Sequence, residues 1–320
     1  MTTTIVLTRR WTPAVEAALC ERFDVRLNPE DTPLSHDEIV RRCAGATVLC
    51  PTGPDKVNRE LIERLPDSVK LLANFGAGTN HIDVAAARER GLLVSNTPGG
   101  VVDATADLTF GLIIATCRRF AEGVQMIRDD QWQGWGINFM LGSQVSGKTL
   151  GIVGMGAIGT AVAKRARGFD MPVLYHNRQR RPEAEQLTGA SYCDTLETLL
   201  EQADIVALTC PLTPATHHLI DAVALQRMRP EAILINTARG PVVDEEALIV
   251  ALREGSIAAA GLDVFEDEPH VPEALVQLPN TFLLPHMGTS TREARDAMGF
   301  IARDNIVRFL ETGALIDPVV

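Results

Sequence analysis

The sequence predicts an α/β protein made of two domains. The chain has 320 residues and is 46% hydrophobic, so each half is long enough to bury a core of its own. Short apolar runs alternate with amphipathic stretches in two separate parts of the chain, and a glycine-rich turn opens the second part. This alternation is typical of parallel sheets covered by helices.

The first part extends from Thr4 to about Thr97. Its apolar runs are TIVLT, DVRLN, ATVLCP, VKLLANF and LLVSN, and the stretches between them are PAVEAALCERF, SHDEIVRRCAG, NRELIERLP and VAAARERG. The runs have the length and composition of strands and the intervening stretches have helical patterns. We therefore expect a flavodoxin-like βαβα domain with a parallel sheet.

A long helical pattern follows, from Val101 to about Asp129, and is entered through Pro98, Gly99 and Gly100. Apolar and small side chains recur along it at helical spacing, at Leu108, Leu112, Ile113, Thr116 and Phe120. A single helix of this length is able to link two domains.

The second part begins at Lys148 and contains six strand candidates. They are TLGIVG, PVLYHN, ADIVALTCP, AILINTARG, AAAGLDVFEDEP and TFLLPHMG, a number that matches a doubly wound Rossmann sheet. The last helix, TREARDAMGFIARDNIVRFLETG, would be redundant there, so we expect it to return to the first domain. The predicted domains are residues 1–98 with 288–320 for the substrate and residues 99–287 for the dinucleotide.

Charge and cysteine content narrow the class of partner and the compartment. The net charge of −11 is spread along the chain, which argues against nucleic acid and anionic lipid as partners. The six cysteines form no CxxC pair and no zinc-site spacing, so we expect buried thiols and no metal. We find no targeting segment and no apolar run approaching the ~20 residues of a membrane span, and expect a cytoplasmic protein.

The glycine-rich turn carries the first functional signal. Gly154, Gly156 and Gly159 form G-x-G-x-x-G between the strand TLGIV and the helix TAVAKRAR. In this context the first glycine permits the tight turn, the second lets the backbone approach a pyrophosphate, and the third lets helix and strand pack closely. The N–H groups of the helix start, at Ala157 and Ile158, would bind the anion.

The cofactor preference is read at the end of the next strand, LYHNRQRR. An NAD site usually has Asp or Glu there for the ribose hydroxyls, but this chain has Asn177, Arg178, Arg180 and Arg181. Guanidinium groups suit a phosphate dianion, which a carboxylate would repel. The pattern favours NADP(H), with NAD(H) possible, and Arg178 is the main expected contact. An ordinary solvated turn is the alternative.

Three residues that suit carbonyl reduction stand at strand ends. Arg239 follows AILIN, Glu268 follows AAAGLDVF, and His286 follows TFLL, where ligands of open α/β sheets bind. A guanidinium holds the carboxylate of a 2-oxo acid and polarises its ketone, and an imidazolium donates the proton as hydride arrives. A carboxylate beside the imidazole favours its charged form.

At this point the chain resembles the D-isomer-specific 2-hydroxyacid dehydrogenases, most closely from about Leu71 to Thr289. The stretches that carry the resemblance are NFGAGTNHID, VSNTPG, ATAD, GKTLGIVGMGAIG, CPLTPATHHLI, INTARGPVVDEEAL, GLDVFEDEP and LPHMG. In that family the matching arginine, glutamate and histidine are catalytic, which implies the same for Arg239, Glu268 and His286.

The resemblance implies further contacts. The substrate carboxylate would lie on the backbone N–H groups of Ala77 and Gly78, where consecutive N–H groups of a glycine-rich turn form an anion site; a plain turn is the alternative. Cofactor contacts are implied at Thr105, Pro211, Thr213, Ala238 and Asp263. Each of these contacts has a simpler alternative. Asp263 could be a strand-end cap and Thr105 a helix hydroxyl, and Pro211 and Thr213 could form a loop bend.

An aromatic arm, residues 131–147, contains Trp132, Trp135 and Phe139, which would be costly to expose unless covered. The resemblance implies a homodimer that buries such an arm, with Trp135 of the partner subunit reaching the active site. Packing within the same chain is the alternative.

Within the family, the pattern is most similar to glyoxylate/hydroxypyruvate reductases. Glu268-Pro269 replaces the Gln-Pro of formate dehydrogenases, and the FGAG loop lacks the lysine of phosphite dehydrogenases. We expect NADPH-dependent reduction of glyoxylate and hydroxypyruvate to D-2-hydroxy acids, with His286 as proton donor. Alternatives are 2-ketogluconate, a phenylpyruvate-like acid, or a dinucleotide-sensing protein like the family's corepressors.

Overall fold

A computed structural model describes residues 3–320 of the chain. It divides into two compact units, Met1–Val102 with Thr289–Val320 (unit 1) and Asp103–Gly288 (unit 2). These boundaries fall within a few residues of those predicted. The roles assigned to the two domains stay predictions at this stage.

Unit 1 contains a parallel five-stranded sheet. Its strands are β1 (Thr4–Leu7), β2 (Asp24–Arg26), β3 (Val48–Cys50), β4 (Leu71–Ala73) and β5 (Leu93–Ser95). They lie in the order β2-β1-β3-β4-β5, which is the order of flavodoxin-like folds. Every residue of β3 and β4 is buried, which explains their uninterrupted apolar runs.

Four helices connect these strands. They are α1 (Pro13–Cys20), α2 (His36–Arg42), α3 (Arg59–Arg64) and α4 (Val84–Glu89), and a 3₁₀ turn follows at Gly99–Val101. Local sequence fixes where they begin. Ser35 and Glu38 form a capping box at α2, and Asn58 and Asp83 cap α3 and α4.

Unit 2 begins with two helices, α5 (Val102–Cys117) and α6 (Phe120–Arg128), where one helix was predicted. The chain breaks at Arg119, which has the left-handed φ of +55°. The carbonyl of Cys117 is satisfied by the Ser143 N–H at 2.8 Å rather than by the next helical turn. The break therefore depends on a residue distant in sequence.

The sheet of unit 2 has seven parallel strands. They are β6 (Leu150–Val153), β7 (Val173–His176), β8 (Ser191–Tyr192), β9 (Ile205–Leu208), β10 (Ile233–Asn236), β11 (Ala259–Leu262) and β12 (Thr281–Leu283), in the order β12-β11-β10-β9-β6-β7-β8. This is the Rossmann order with one strand added. The six predicted strands are all present, and the two-residue edge strand β8 was not predicted.

Six more helices belong to unit 2: α7 (Ala157–Ala166), α8 (Pro182–Thr188), α9 (Leu196–Gln202), α10 (Ala222–Arg227), α11 (Glu245–Glu254) and α12 (Glu273–Val276). The last helix, α13 (Arg292–Thr312), belongs to unit 1. A Cβ at Gly299 of α13 would lie 2.7 Å from Val15 of α1, so the two helices pack very closely.

One expectation about apolar runs needs correction. Within residues 3–320, the helical segment Gly99–Cys117 is long and apolar enough to cross a membrane. Burial accounts for this composition, because 56% of the segment's apolar window lies inside the protein and a core helix passes the same test. In unit 2, for example, Thr116 and Leu112 of α5 pack over Gly261 of β11.

Candidate active site

The glycine-rich turn connects β6 to α7 and depends on the absence of side chains. A Cβ on Gly154, whose φ is +106°, would lie 2.6 Å from the Cys210 backbone nitrogen. A Cβ on Gly159 would overlap the Gly154 carbonyl oxygen. Gly156 faces open space, directly before the first residue of α7. The turn thus leaves room for a pyrophosphate in front of the helix N–H groups.

A cleft of about 630 Å³, which we call the strand-end cleft, opens beside this turn at the carboxyl ends of β6, β7 and β9. Seven residues predicted to contact the cofactor line it: Gly154, Gly156, Asn177, Arg178, Arg181, Pro211 and Thr213. None of its lining residues is acidic. The cleft therefore suits the phosphorylated ribose of a dinucleotide.

Asn177 lines the cleft and also holds its wall together. Its Oδ1 accepts the Met155 N–H at 2.7 Å, and its carbonyl accepts the Tyr192 hydroxyl at 3.1 Å. The side-chain oxygen of Asn177 thus joins the glycine-rich turn to the end of β7.

The arginines after β7 are divided between two tasks. Arg178 and Arg181 line the cleft, whereas Arg180 forms an ion pair with Glu185 at 2.8 Å. Tyr175 also donates to Glu185 at 2.6 Å. The hydrogen bond from Arg180 has the larger effect on the pKa of Glu185 and the one from Tyr175 the smaller, and the pKa is lowered to about 2. Arg180 is therefore turned away from the cleft by a partner that stays charged.

Sequence reasoning missed several residues of the strand-end cleft. Thr209 is the clearest case, because its hydroxyl donates to the Gly154 carbonyl at 2.7 Å and it follows β9 directly. Thr216 donates to the Pro211 carbonyl at 2.6 Å and accepts the Thr213 N–H at 2.8 Å. The position of Thr209 at a strand end could have predicted it.

The second cluster of unit 2 is the predicted catalytic trio. The Nδ1 atom of His286 lies 2.6 Å from Oε2 of Glu268, and the other carboxylate oxygen accepts the Phe265 N–H at 3.1 Å. Burial acts to raise the pKa of Glu268. The hydrogen bond and charge of His286, the Phe265 N–H and the charge of Arg239 outweigh burial, so the pKa is lowered.

His286 is held in a strained turn by Asp263. The φ of His286 is +51°, and its N–H donates to the Asp263 carbonyl at 2.8 Å. The buried Asp263 carboxylate accepts the N–H groups of Met287 at 2.6 Å and Gly288 at 2.8 Å. Burial raises the pKa of Asp263, and these two hydrogen bonds oppose the rise. Asp263 therefore caps the strand end, and its implied contact with the cofactor stays a prediction.

Arg239 lies at the end of β10 in a tightly packed turn. Asn236 donates to its carbonyl at 3.0 Å, and one guanidinium N–H donates to the Ala238 carbonyl at 2.6 Å. Burial lowers the pKa of Arg239 and the charge of Glu268 opposes this effect. Ala238 itself is buried, and its N–H donates to Asn236 Oδ1 at 3.0 Å. Ala238 does not line the strand-end cleft.

The loop that carries Glu268 is fastened to the Arg239 turn. A Cβ on Gly240 would overlap the carbonyl group of Phe265, so the two backbones touch. The buried carboxylate of Glu245 accepts the Glu266 N–H at 2.8 Å, and burial raises the pKa of Glu245. Sequence reasoning missed Glu245, because a glutamate at a helix start is ordinarily a solvated residue.

The comparisons with known proteins agree with this geometry. A model of the D-isomer specific 2-hydroxyacid dehydrogenase family, NAD binding domain, matches residues 110–288. A glyoxylate reductase from Thermococcus litoralis is 49% identical over 259 residues, covering 80% of this chain and 78% of that protein. The chain belongs to the D-isomer specific 2-hydroxyacid dehydrogenase family.

Solved structures of this dehydrogenase family are similar over the full chain. A glyoxylate reductase from Paecilomyes thermophila superposes with a TM-score of 0.87 at 35% identity, covering 99% of this chain and 98% of that one. An NADPH-dependent glyoxylate/hydroxypyruvate reductase from Sinorhizobium meliloti, in complex with NADP and malonate, gives 0.88 at 33%, covering 100% and 97%.

The remaining residues implied by family membership are placed as follows. Thr105 of α5 is buried and lies against Gly288, next to the His286 turn. Ala77 and Gly78 lie in unit 1, in the loop after β4. Ala157 and Ile158 begin α7 and, like Gly159, do not line the strand-end cleft.

The aromatic arm has turns but no helix or strand. Trp135 is 81% exposed, so the alternative of packing within its own chain is wrong for this residue. Within residues 3–320, no group of three or more His, Cys, Asp or Glu side chains is arranged to hold a metal. Five of the six cysteines are buried, and Cys20 is exposed.

Proposed function

We propose that the protein uses NADPH to reduce small 2-oxo acids, with glyoxylate and hydroxypyruvate as its substrates, to D-2-hydroxy acids. The observation that carries the proposal is the 2.6 Å contact between His286 and Glu268 at the strand ends, in the same unit as the partly buried Arg239. The Thermococcus litoralis relative, named as a glyoxylate reductase, supports the substrate class.

Each member of the trio has one task in the reaction. When bound, the nicotinamide supplies a hydride to the ketone carbon. Arg239 binds the substrate by charge-assisted hydrogen bonds and polarises the ketone. His286 donates a proton to the ketone oxygen from Nε2, because Nδ1 is engaged by Glu268. Glu268 stabilises the protonated imidazole and fixes its orientation.

The preference for NADP(H) over NAD(H) rests on the strand-end cleft. Arg178 and Arg181 line it, no lining residue is acidic, and Arg180 is engaged elsewhere by Glu185. Two guanidinium groups would bind the additional phosphate of NADP, whereas neither offers an acceptor to the ribose hydroxyls of NAD. The NADP complex of the Sinorhizobium meliloti reductase supports this choice.

We also propose that the N–H groups of Ala77 and Gly78 bind the substrate carboxylate, and that the protein is a cytoplasmic homodimer without nucleic-acid or membrane partners. Trp135 of the partner subunit would contribute to substrate binding. The exposure of Trp135 supports the homodimer, since a bare indole on a monomer is unfavourable.

A panel of initial rates tests the proposal. NADPH and NADH are each offered with glyoxylate, hydroxypyruvate, pyruvate, 2-ketogluconate and phenylpyruvate, and His286→Gln is the inactive control. Fast turnover of the first two acids with NADPH is the expected result. Turnover of another acid alone would show that glyoxylate and hydroxypyruvate are not the substrates. Activity with NADH alone would refute the cofactor assignment. No turnover with any pair would favour dinucleotide sensing.

A further inference from the structure

The loop after β4 presents unpaired backbone donors. Within residues 3–320, the N–H groups of Ala77 and Gly78 make no hydrogen bond. Both residues are only partly exposed. Consecutive N–H groups that point the same way form a site for an anion, but a flexible loop would not hold them in that arrangement. The question is what fixes their direction.

The carbonyl groups of Gly76, Ala77 and Gly78 in the same loop are all bound. Asn74 Nδ2 donates to the Gly76 carbonyl at 2.9 Å and to the Gly78 carbonyl at 3.0 Å. Asn96 Nδ2 donates to the Ala77 carbonyl at 2.7 Å. Three successive carbonyls are thus held by two asparagine side chains, and the Gly76 carbonyl also accepts the Thr97 N–H at 3.0 Å.

Holding a carbonyl also orients the next N–H group. A peptide unit is planar, and its C=O and N–H point in opposite directions. Asn74, by binding the Gly76 carbonyl, therefore fixes the Ala77 N–H. Asn96, by binding the Ala77 carbonyl, fixes the Gly78 N–H in the same way.

Both asparagines are themselves held in place. Asn74 is fully buried, and its Oδ1 lies 2.9 Å from His81 Nε2, which makes the amide nitrogen the group that faces the loop. Asn96 follows β5 directly, and its backbone N–H donates to the Asp317 carbonyl at 3.3 Å.

We propose that Asn74 and Asn96 are positioning residues that aim the N–H groups of Ala77 and Gly78 at the carboxylate of the substrate. The proposal rests on the function proposed above, because it takes the anion at this loop to be a 2-oxo acid. Neither asparagine contacts the substrate; each acts through the peptide unit that it holds.

Asn96→Ala is the decisive variant, because Asn96 is partly exposed and the change removes only the bond to Ala77. We expect KM for glyoxylate to rise about tenfold while kcat changes less than about twofold, since the lost orientation weakens carboxylate binding. The dissociation constant of oxalate, measured by calorimetry on the NADPH-loaded enzyme, should rise equally. NADPH affinity should not change.

Asn280→Ala is the matched control. Asn280 also donates to two backbone carbonyls, those of Leu252 at 3.2 Å and Ala258 at 3.0 Å, but it lies before β12 at the amino-terminal edge of the unit 2 sheet. We expect a similar loss of thermal stability in both variants and a change of KM in Asn96→Ala alone.

The outcomes separate the two proposals. Unchanged KM and oxalate affinity in folded Asn96→Ala would overturn the positioning role, and so would equal effects in Asn280→Ala. If the wild-type enzyme reduced no 2-oxo acid but Asn96→Ala still weakened oxalate binding, the proposed function would fail and the positioning role would stand. Asn74→Ser provides a second, independent test at the Gly76 and Gly78 carbonyls.

Discussion

The carboxylate of Glu268 is shared between structure and chemistry. One oxygen accepts the Phe265 N–H and the other binds His286, so the group is fixed at both ends. Because the pKa of Glu268 is lowered, its carboxylate stays ionised through neutral pH and down to pH values below the ordinary titration range of a glutamate. A charge that persists over the whole working range is what a neighbouring imidazole needs to hold a proton for transfer.

Glu268→Gln should therefore alter the pH profile of catalysis. An amide does not titrate, so the decline in kcat/KM that protonation of Glu268 causes in the wild type, at pH values below the ordinary range of a glutamate, should be absent from the variant's profile. We also expect kcat/KM to fall about 10- to 100-fold at neutral pH. Glu266→Gln is the control, because Glu266 makes a carboxylate–imidazole contact of the same 2.6 Å length with His218. Superimposable profiles for Glu268→Gln and wild type would refute the assigned role.

Arg178 and Arg180 form a natural pair for testing the cofactor preference. Arg178 lines the strand-end cleft and Arg180 pairs with Glu185, two positions along the same loop. Arg178→Ala should lower kcat/KM for NADPH about tenfold or more and leave kcat/KM for NADH nearly unchanged, because only NADPH carries the additional phosphate on its adenosine ribose. Arg180→Ala should affect both cofactors alike. An equal loss for both cofactors in Arg178→Ala would mean that this arginine shapes the loop only.

At the scale of elements, the site depends on the contact between two loops. The turn after β10 carries Arg239 and the loop after β11 carries Glu268, and they touch where Gly240 meets Phe265. The N–H of Glu266 is held by Glu245 at the start of α11. The relative position of the loops that carry Arg239 and Glu268 is thus set by backbone packing.

Gly240→Ala should disturb both stability and catalysis. The new methyl group would overlap the Phe265 carbonyl, a backbone group that can move only with its loop, so we expect a loss of about 1–3 kcal/mol in unfolding free energy. Displacement of Glu268 should lower kcat about tenfold or more. Gly168→Ala is the control, since a Cβ there meets nothing within 4 Å. Wild-type kcat in Gly240→Ala would show that the loop contact is unimportant.

Sequence patterns predicted the features that local chemistry determines. The spacing of Gly154, Gly156 and Gly159 indicated the turn, because Gly154 and Gly159 have no room for a Cβ and Gly156 leaves the space in front of the helix open. The break at Arg119 was missed because it depends on the distant Ser143. The two-residue strand β8 was missed because so short an edge element has no periodicity to detect. A strand-end cap was one of two interpretations of Asp263, but sequence spacing did not identify the Met287 and Gly288 N–H groups that its carboxylate accepts.

At the scale of the whole molecule, an apolar surface on α6 is left uncovered by the rest of residues 3–320. None of the residues of α6 is buried, although Phe120, Val124 and Ile127 recur on one face of it. The aromatic arm adds Trp135 and Ile137, both largely exposed. Exposed apolar side chains of this kind mark an association surface, and the proposed homodimer would cover it.

Val124→Glu tests this surface directly. Val124 in α6 and Val250 in α11 are each 50% exposed, so Val250→Glu introduces the same charge on an equally exposed helical position. In an isologous dimer the interface patch of one subunit contacts the same patch of the other. Val124→Glu would therefore place two like charges at the interface, one from each subunit, and weaken the association. Sedimentation equilibrium should give twice the chain mass of 34.7 kDa for wild type and Val250→Glu, and the single mass for Val124→Glu. A monomeric wild type, or a Val124→Glu protein that stays dimeric, would show that α6 faces something other than a second copy.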